Sequence, residues 1–259
     1  MKAKKIWGQH FLNAPWVIEK ILQAIPEISD EHIVVEVGPG QGVLTQHLLE
    51  KFGERFYAIE VDPDLIDYLS KYFPQLKDRL IHKDFLKFDL AAFTQKPMVI
   101  IGNFPYNISS QIVFKALEQR QQVTYIIGMF QKEMALRIVS PSGSKDYGIL
   151  SVLAGAFYEG KYLFDVDRTC FNPPPSITSG VIRLDRNRVQ QLSCNETQFI
   201  KVVKAAFNQR RKMLRNSLSS IVNDKTLFEN TYFTKRPEQL SIEDFIAITQ
   251  LIENTHKKE

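Results

Sequence analysis

From Ile33 to Val139, short apolar or β-branched runs take turns with stretches of helical periodicity. Ile33–Val37, Arg55–Val61, Leu80–His82, Met98–Gly102 and Thr124–Phe130 read as strands. Between them lie a helix with Val43, Leu44, Leu48 and Leu49 on its apolar side, and helices over Pro63–Tyr72, Ser109–Gln119 and Gln131–Val139. Strand and helix in strict rotation imply right-handed crossovers, hence an α/β fold: a parallel sheet with helices on both faces. Sheets of this kind take ligands at the carboxyl ends of their strands.

The flanks of this region read differently. Before it, Asn13 is placed to cap a helix that carries Val17, Ile18, Ile21, Leu22 and Ile25 on one face and ends at Pro26. After it, Ser140–Gly148 reads as an exposed loop able to close over a substrate. A helix at Ile149–Phe157 and strands at Lys161–Val166 and Gly180–Leu184 then add antiparallel edges to the sheet. Beyond Asn187 the strand signal vanishes, and Thr197–Phe207, Lys212–Ile221 and Ile242–Asn254 read as helices. The expected organisation is a sheet domain over 1–187 and a small all-helical domain over 188–259.

Charge follows the same division. Residues 1–187 carry 21 Lys+Arg and 21 Asp+Glu, whereas 188–259 carry 12 and 8 and supply the whole net charge of +4. Lys201–Arg215 holds six cations and no acid. Such a patch suits a polyanion, because neutralising neighbouring phosphates releases their counterions. Two cysteines, Cys170 and Cys194, make neither a disulfide framework nor a zinc pattern, so no metal and a reducing compartment are expected. No apolar run approaches the roughly 20 residues needed to span a bilayer. The expectation is a cytoplasmic monomer with no membrane contact.

The first chemical motif is Glu36-Val-Gly38-Pro-Gly40-Gln-Gly42, between the first strand of the series and its helix. Glycines at alternate positions let the backbone turn tightly and approach a ligand. A dinucleotide fingerprint would place its last glycine one residue later, to seat a pyrophosphate. The tighter spacing with a preceding acid points instead to S-adenosylmethionine, which has no phosphate. Glu60, 22 positions after Gly38, can accept from both ribose hydroxyls. Asp84 can accept from the amino group of the cofactor's adenine.

The second motif, Asn103-Phe-Pro105-Tyr106, follows an apolar strand directly. An adenine amino group is a poor nucleophile because its lone pair is delocalised into the ring. Acceptors aimed at its two hydrogens draw the nitrogen from planar toward tetrahedral. The side-chain oxygen of Asn103 and the carbonyl of Pro105 can serve, with proline fixing the backbone between them. Tyr106 can stack on a base taken out of its helix.

With these motifs in place, the chain resembles the ribosomal RNA adenine dimethyltransferases. The resemblance runs through Gly8-Gln-His-Phe-Leu12, the Glu36–Gly42 loop, Asn103–Tyr106, Phe171-Asn-Pro-Pro-Pro-Ser176 with Ser179-Gly-Val-Ile-Arg183, and Ala206-Phe-Asn-Gln-Arg-Arg-Lys-Met-Leu-Arg215. It implies a Rossmann-like class I methyltransferase sheet and a cofactor site closed by His10 and Leu12 and lined by Gly38, Gly40, Gly42, Glu60, Asp84 and Asn103. It implies catalytic roles for Asn103, Pro105, Tyr106 and Phe171, the last stacking on the target adenine. Arg210, Arg211, Lys212 and Arg215 resemble the small-subunit branch rather than the Erm-type enzymes of large-subunit RNA. The implied substrate is a pair of adjacent adenines in the 3′-terminal hairpin of small-subunit (16S) rRNA, within a pre-30S particle. Two alternatives stand beside it: an Erm-like or DNA adenine methyltransferase, and a ribosome-assembly binding factor whose methylation is secondary.

Overall fold

A computed structural model describes Lys4 and residues 9–256. Contacts divide the chain into two compact units, one running to Ala135 and resuming over Gly160–Arg186, the other comprising Leu136–Glu159 and the chain from Asn187 onward. The edge near 187 falls where the charge and strand patterns change. The segment Leu136–Glu159, expected with the sheet, groups with the helices instead.

In chain order the elements are β1 (Phe11–Leu12), α1 (Pro15–Gln23), β2 (Ile33–Val37), α2 (Thr45–Phe52), β3 (Phe56–Glu60), α3 (Pro63–Tyr72) and β4 (Leu80–His82). They continue with α4 (Leu90–Phe93), β5 (Met98–Asn103), α5 (Ser109–Glu118), β6 (Val123–Gln131), α6 (Lys132–Val139) and α7 (Ile149–Gly155). The last are β7 (Tyr158–Val166), β8 (Phe171–Asn172), β9 (Ser179–Arg186), α8 (Glu196–Asn208), α9 (Leu214–Ser217) and α10 (Ile242–His256).

The main sheet has seven strands in the order β4-β3-β2-β5-β6-β9-β7. The first five are parallel, and β9 runs antiparallel to β6. β2, β5 and most of β6 are buried along their length, as expected of strands covered on both faces. Successive strands move outward in one direction from β2 to β4 and in the other from β5 to β6. The crevice between the carboxyl ends of β2 and β5 is therefore the topological switch point, where such sheets bind ligands. Both chemical motifs emerge there, one from each strand.

Three local expectations are corrected. The helix α1 starts at Pro15 with Ala14 as its cap residue and no side-chain cap. Asn13 lies one residue before the cap position, and its backbone N–H donates to the Cys170 carbonyl at 2.7 Å. The helix placed at Lys212–Ile221 is the single turn α9, because Met213 is extended and the Leu214 N–H donates to the Lys235 carbonyl at 2.9 Å. The loop Ser140–Gly148 is tethered within the second unit. Gly143 donates to the Glu238 carbonyl at 2.7 Å, and Tyr147, 2% exposed, packs edge-on against Phe207 with centroids 5.8 Å apart. That ring contact and the packing of α7 on α8 explain why Leu136–Glu159 joins the helical unit.

Candidate functional site

The glycine loop has the backbone its spacing predicts. Gly38, Gly40 and Gly42 take φ of +69°, +57° and +82°, the left-handed region that L side chains rarely adopt. At Gly42 space is also closed: a Cβ there would stand 2.4 Å from the ring of Phe73. At Gly38 it would meet Pro105 Cδ at 3.6 Å, and at Gly40 the ring of Phe11 at 3.3 Å. The loop after β2 thus lies against the motif after β5 on one side and β1 on the other.

Three acidic residues line this pocket: Glu36, Glu60 and Asp84. Glu36 is buried and accepts from Thr45 Oγ1 at 2.6 Å. Burial lifts its pKa from the ordinary 4.5 to about 8, against the lowering effect of the Thr45 bond. Glu60 accepts from the N–H groups of Val61 at 2.8 Å, Asp62 at 2.9 Å, and Gly40. Burial still raises it above the normal carboxylate range. These bonds tie the end of β3 to the glycine loop. Asp84 Oδ1 accepts from the Leu86 N–H at 2.9 Å, so this residue also shapes its own turn.

Burial favours the neutral form of Glu36, and a ligand of net positive charge offsets this by favouring the ionised form; a sulfonium cofactor with an amino and a carboxylate group is such a ligand. A cation favours the ionised form of Glu36, so at pH 7 binding should release a proton. Affinity should rise with pH toward about 8 and level off above it. The expected result is a calorimetric binding enthalpy that varies with the ionisation heat of the buffer, an effect lost in Glu36→Gln. Equal enthalpies across buffers would contradict this. The same shift weakens the fold as pH rises from 4.5 toward 8, because over that window the native state holds a proton the unfolded chain has released.

The second motif is held by its own apolar residue. Phe104 is 1% exposed and meets Phe130 edge-on at 5.2 Å. Its ring fills space that only glycine leaves open: a Cβ on Gly128 would stand 2.2 Å from it, and one on Gly102 3.0 Å. The flanking polar residues are thereby fixed at the pocket. Asn103 Nδ2 donates to the His10 carbonyl at 2.9 Å, which turns Oδ1 to the opposite side of the amide as an uncommitted acceptor. The Pro105 carbonyl accepts from the Ile108 N–H at 3.1 Å and keeps a second lone pair. Tyr106 OH shares a 2.5 Å hydrogen bond with Ser179 Oγ, and burial raises the phenol above its usual range.

Residues 9–12, which end in β1, form a strap across these elements. Gln9, His10, Phe11 and Leu12 all line the pocket, whereas Gly8 lies outside the described residues. Gln9 Nε2 donates to Asp62 at 3.0 Å, and Lys4 Nζ bonds the other oxygen of Asp62 at 2.7 Å. Against the opposing effect of burial, these two partners hold Asp62 below its normal range. His10 Nδ1 donates to the Pro173 carbonyl at 2.9 Å, and its ring stacks on Tyr106 with centroids 5.6 Å apart and planes 28° from parallel. Phe171 occupies a different place from the one expected. It pairs with Leu12 in the short β1–β8 ladder, is 4% exposed, and belongs to the apolar core with Val17 and Ile21. The ring against Tyr106 is that of His10.

Of the basic residues, Arg211, Lys212 and Arg215 are exposed on the second unit. Arg210 is partly engaged: its guanidinium donates to the Ser144 carbonyl at 3.3 Å and lies 3.8 Å from Glu238. Ser179 and the Lys4–Gln9–Asp62 group were not anticipated from sequence. Their roles depend on pairings 53 to 73 residues apart, for which local pattern carries no signal.

The profile of the family described as "Ribosomal RNA adenine dimethylase" matches residues 1–254. A curated relative from Cytophaga hutchinsonii, named Ribosomal RNA small subunit methyltransferase A, is 49% identical over 97% of this chain and 98% of its own length. One of the same name from Flavobacterium johnsoniae is 50% identical over 98% and 97%. Among solved structures, a dimethyladenosine transferase from Plasmodium falciparum superposes with a TM-score of 0.80 at 25% identity, covering 96% of this chain and 98% of that one. The 23S rRNA methyltransferase ErmE, at 22% identity and a TM-score of 0.68 over 93% and 99%, shares the fold. With both motifs meeting at the switch point and a family profile spanning nearly every residue, the chain belongs to the ribosomal RNA adenine dimethylase family.

Proposed function

We propose that this protein dimethylates the exocyclic amino groups of two adjacent adenines in the 3′-terminal hairpin of small-subunit rRNA, using S-adenosylmethionine, on an immature (pre-30S) particle. It acts as a cytoplasmic monomer. The observation that carries the reading is the orientation of Asn103. Its amide nitrogen is committed to the His10 carbonyl, which leaves its oxygen as the acceptor end of the amide, on a residue that lines the same pocket as Pro105 and Tyr106. The names of the curated relatives and their near full-length likeness support the small subunit as the address.

Gly38, Gly40, Gly42, Glu60 and Asp84 would hold the cofactor, with His10 and Leu12 closing over it. Buried acids, a left-handed glycine cradle and a carboxyl acceptor at the end of β3 fit a cationic nucleoside. When bound, S-adenosylmethionine supplies an electrophilic methyl group on a positively charged sulfur.

The chain's own residues prepare the acceptor. Asn103 Oδ1 and the Pro105 carbonyl take one hydrogen bond each from the adenine amino group, so the nitrogen lone pair leaves conjugation as the carbon–nitrogen bond forms. Tyr106, steadied by Ser179, offers its face to the extruded base. The methylated nitrogen then loses its proton to water, and no side chain need act as a strong base. Phe171 contributes through the β1–β8 pair, which fixes the strap carrying His10. Exposed Arg211, Lys212 and Arg215, with Arg210 in part, engage RNA phosphates.

With labelled cofactor, the purified protein should methylate immature small subunits and leave free large-subunit RNA and duplex DNA unlabelled. Label in large-subunit RNA would move the assignment to the Erm-like branch. Label in DNA alone would overturn it.

A further inference from the structure

The His10 ring covers one face of Tyr106, the residue proposed to stack on the target base. Its ring lies 5.6 Å from that of Tyr106 and nearly parallel to it. Two rings that sandwich a base stand about 7 Å apart, twice the ~3.5 Å contact between carbon atoms. As placed, the imidazole and the phenol leave no room for an adenine between them. The imidazole is also pinned, since Nδ1 donates to the Pro173 carbonyl at 2.9 Å. The main chain of the same residue does separate work, its carbonyl receiving Asn103 Nδ2.

We infer that His10 is a gate on base capture: its side chain covers the face of Tyr106 until the target adenine displaces it, while its carbonyl keeps Asn103 turned for catalysis. The two functions are separable because one belongs to the ring and the other to the backbone. Displacing the ring breaks one stacking contact and one hydrogen bond to Pro173. The carbonyl contact survives, because Phe11 and Leu12 are held by antiparallel pairing with Asn172 and Phe171. Gating favours a base already unstacked by its own RNA, since a stacked adenine would have to lose its neighbours and also expel His10. His10 is a positioning residue in this account. The inference rests on Tyr106 being the stacking surface proposed above.

The test uses the full chain and immature small subunits without cofactor, so that binding is read independently of turnover. His10→Ala removes the ring and keeps the carbonyl. Given the modest worth of one stack and one hydrogen bond, it should tighten small-subunit binding by about 3- to 10-fold. His10→Asn, which also lacks the ring, should give a similar gain and controls for damage to the strap. The gain should vanish on a Tyr106→Ala background, since the ring then has nothing to cover. In turnover at saturating cofactor the gain should appear as a lower KM for small subunits.

Weaker binding in both His10 variants would make His10 a wall of the base site and overturn the gate. Unchanged binding, or a gain that persists without Tyr106, would overturn it as well. If Tyr106→Ala by itself changed neither binding nor turnover, the stacking role of Tyr106 would fall together with the gate. A normal Tyr106 effect with no His10 gain sinks the gate alone.

Discussion

Asn103→Ala is expected to abolish measurable methyl transfer, with a loss of about 10²- to 10³-fold or more in kcat, the range found when one preorganised polar group facing developing charge is removed. The size follows from position. Asn103 ends a buried strand, its amide is oriented by the His10 carbonyl, and its neighbour Phe104 is locked over Gly102 and Gly128. An acceptor held this way costs no reorganisation at the moment of transfer. Because its contact to the amino group strengthens only as the nitrogen becomes tetrahedral, kcat and kcat/KM should fall together. Affinity for small subunits should change little. Residual activity above a tenth of wild type would remove Asn103 from the chemistry. Asn103→Asp supplies a second reading, since it keeps an acceptor but loses the donor to His10 and sets a negative charge beside a carbonyl. It should also be severely impaired, which would show that the orientation of the acceptor matters as well as its presence.

Replacing Arg211, Lys212 and Arg215 together with Gln should weaken small-subunit binding and flatten its salt dependence. Each lost phosphate contact lowers the slope of log K against log salt by about 0.7 to 0.9, so three contacts remove about 2 to 3 from the slope. These side chains are exposed, so the fold should tolerate the change. Arg210 differs because part of its guanidinium is spent on Ser144 and Glu238. Its replacement should loosen the Ser140–Gly148 loop, seen as faster hydrogen exchange at Gly143, whose N–H is bonded to the Glu238 carbonyl. A triple variant with unchanged slope would take the RNA contact away from this patch.

How much of this could be read from the sequence depended on whether the governing interaction was local. The strands and crossover helices were legible because burial on both faces of a parallel sheet leaves β-branched runs such as Ile33–Val37, and amphipathic helices leave a 3.6-residue period. The glycine loop was legible because its three left-handed backbones need glycine wherever they occur. Asn103 and Pro105 were legible from the chemistry of an amino group. What the sequence hid was long-range. His10 reads as an isolated histidine until its ring is seen on Tyr106, 96 positions away. Phe171 reads equally well as a stacking residue or a core one; in the structure it pairs with Leu12 and packs in the apolar core. Asn13 looks like a helix cap by residue type, but the helix begins at Pro15, so Ala14 and not Asn13 holds the cap position. The cationic run Lys201–Arg215 includes the exposed Arg211, Lys212 and Arg215, yet nothing local marks Arg210 as the member that turns inward.

The central claim, a dimethylation of adjacent adenines in small-subunit RNA, is tested most directly by the product. Immature small subunits lacking the modification would be treated with the protein and S-adenosylmethionine, and the RNA digested to nucleosides and mapped by mass spectrometry. The account predicts N6,N6-dimethyladenosine at two neighbouring positions in the 3′-terminal hairpin, with four methyl groups per particle at completion. Methyl groups on any other atom, on a single isolated adenine, or outside that hairpin would contradict it.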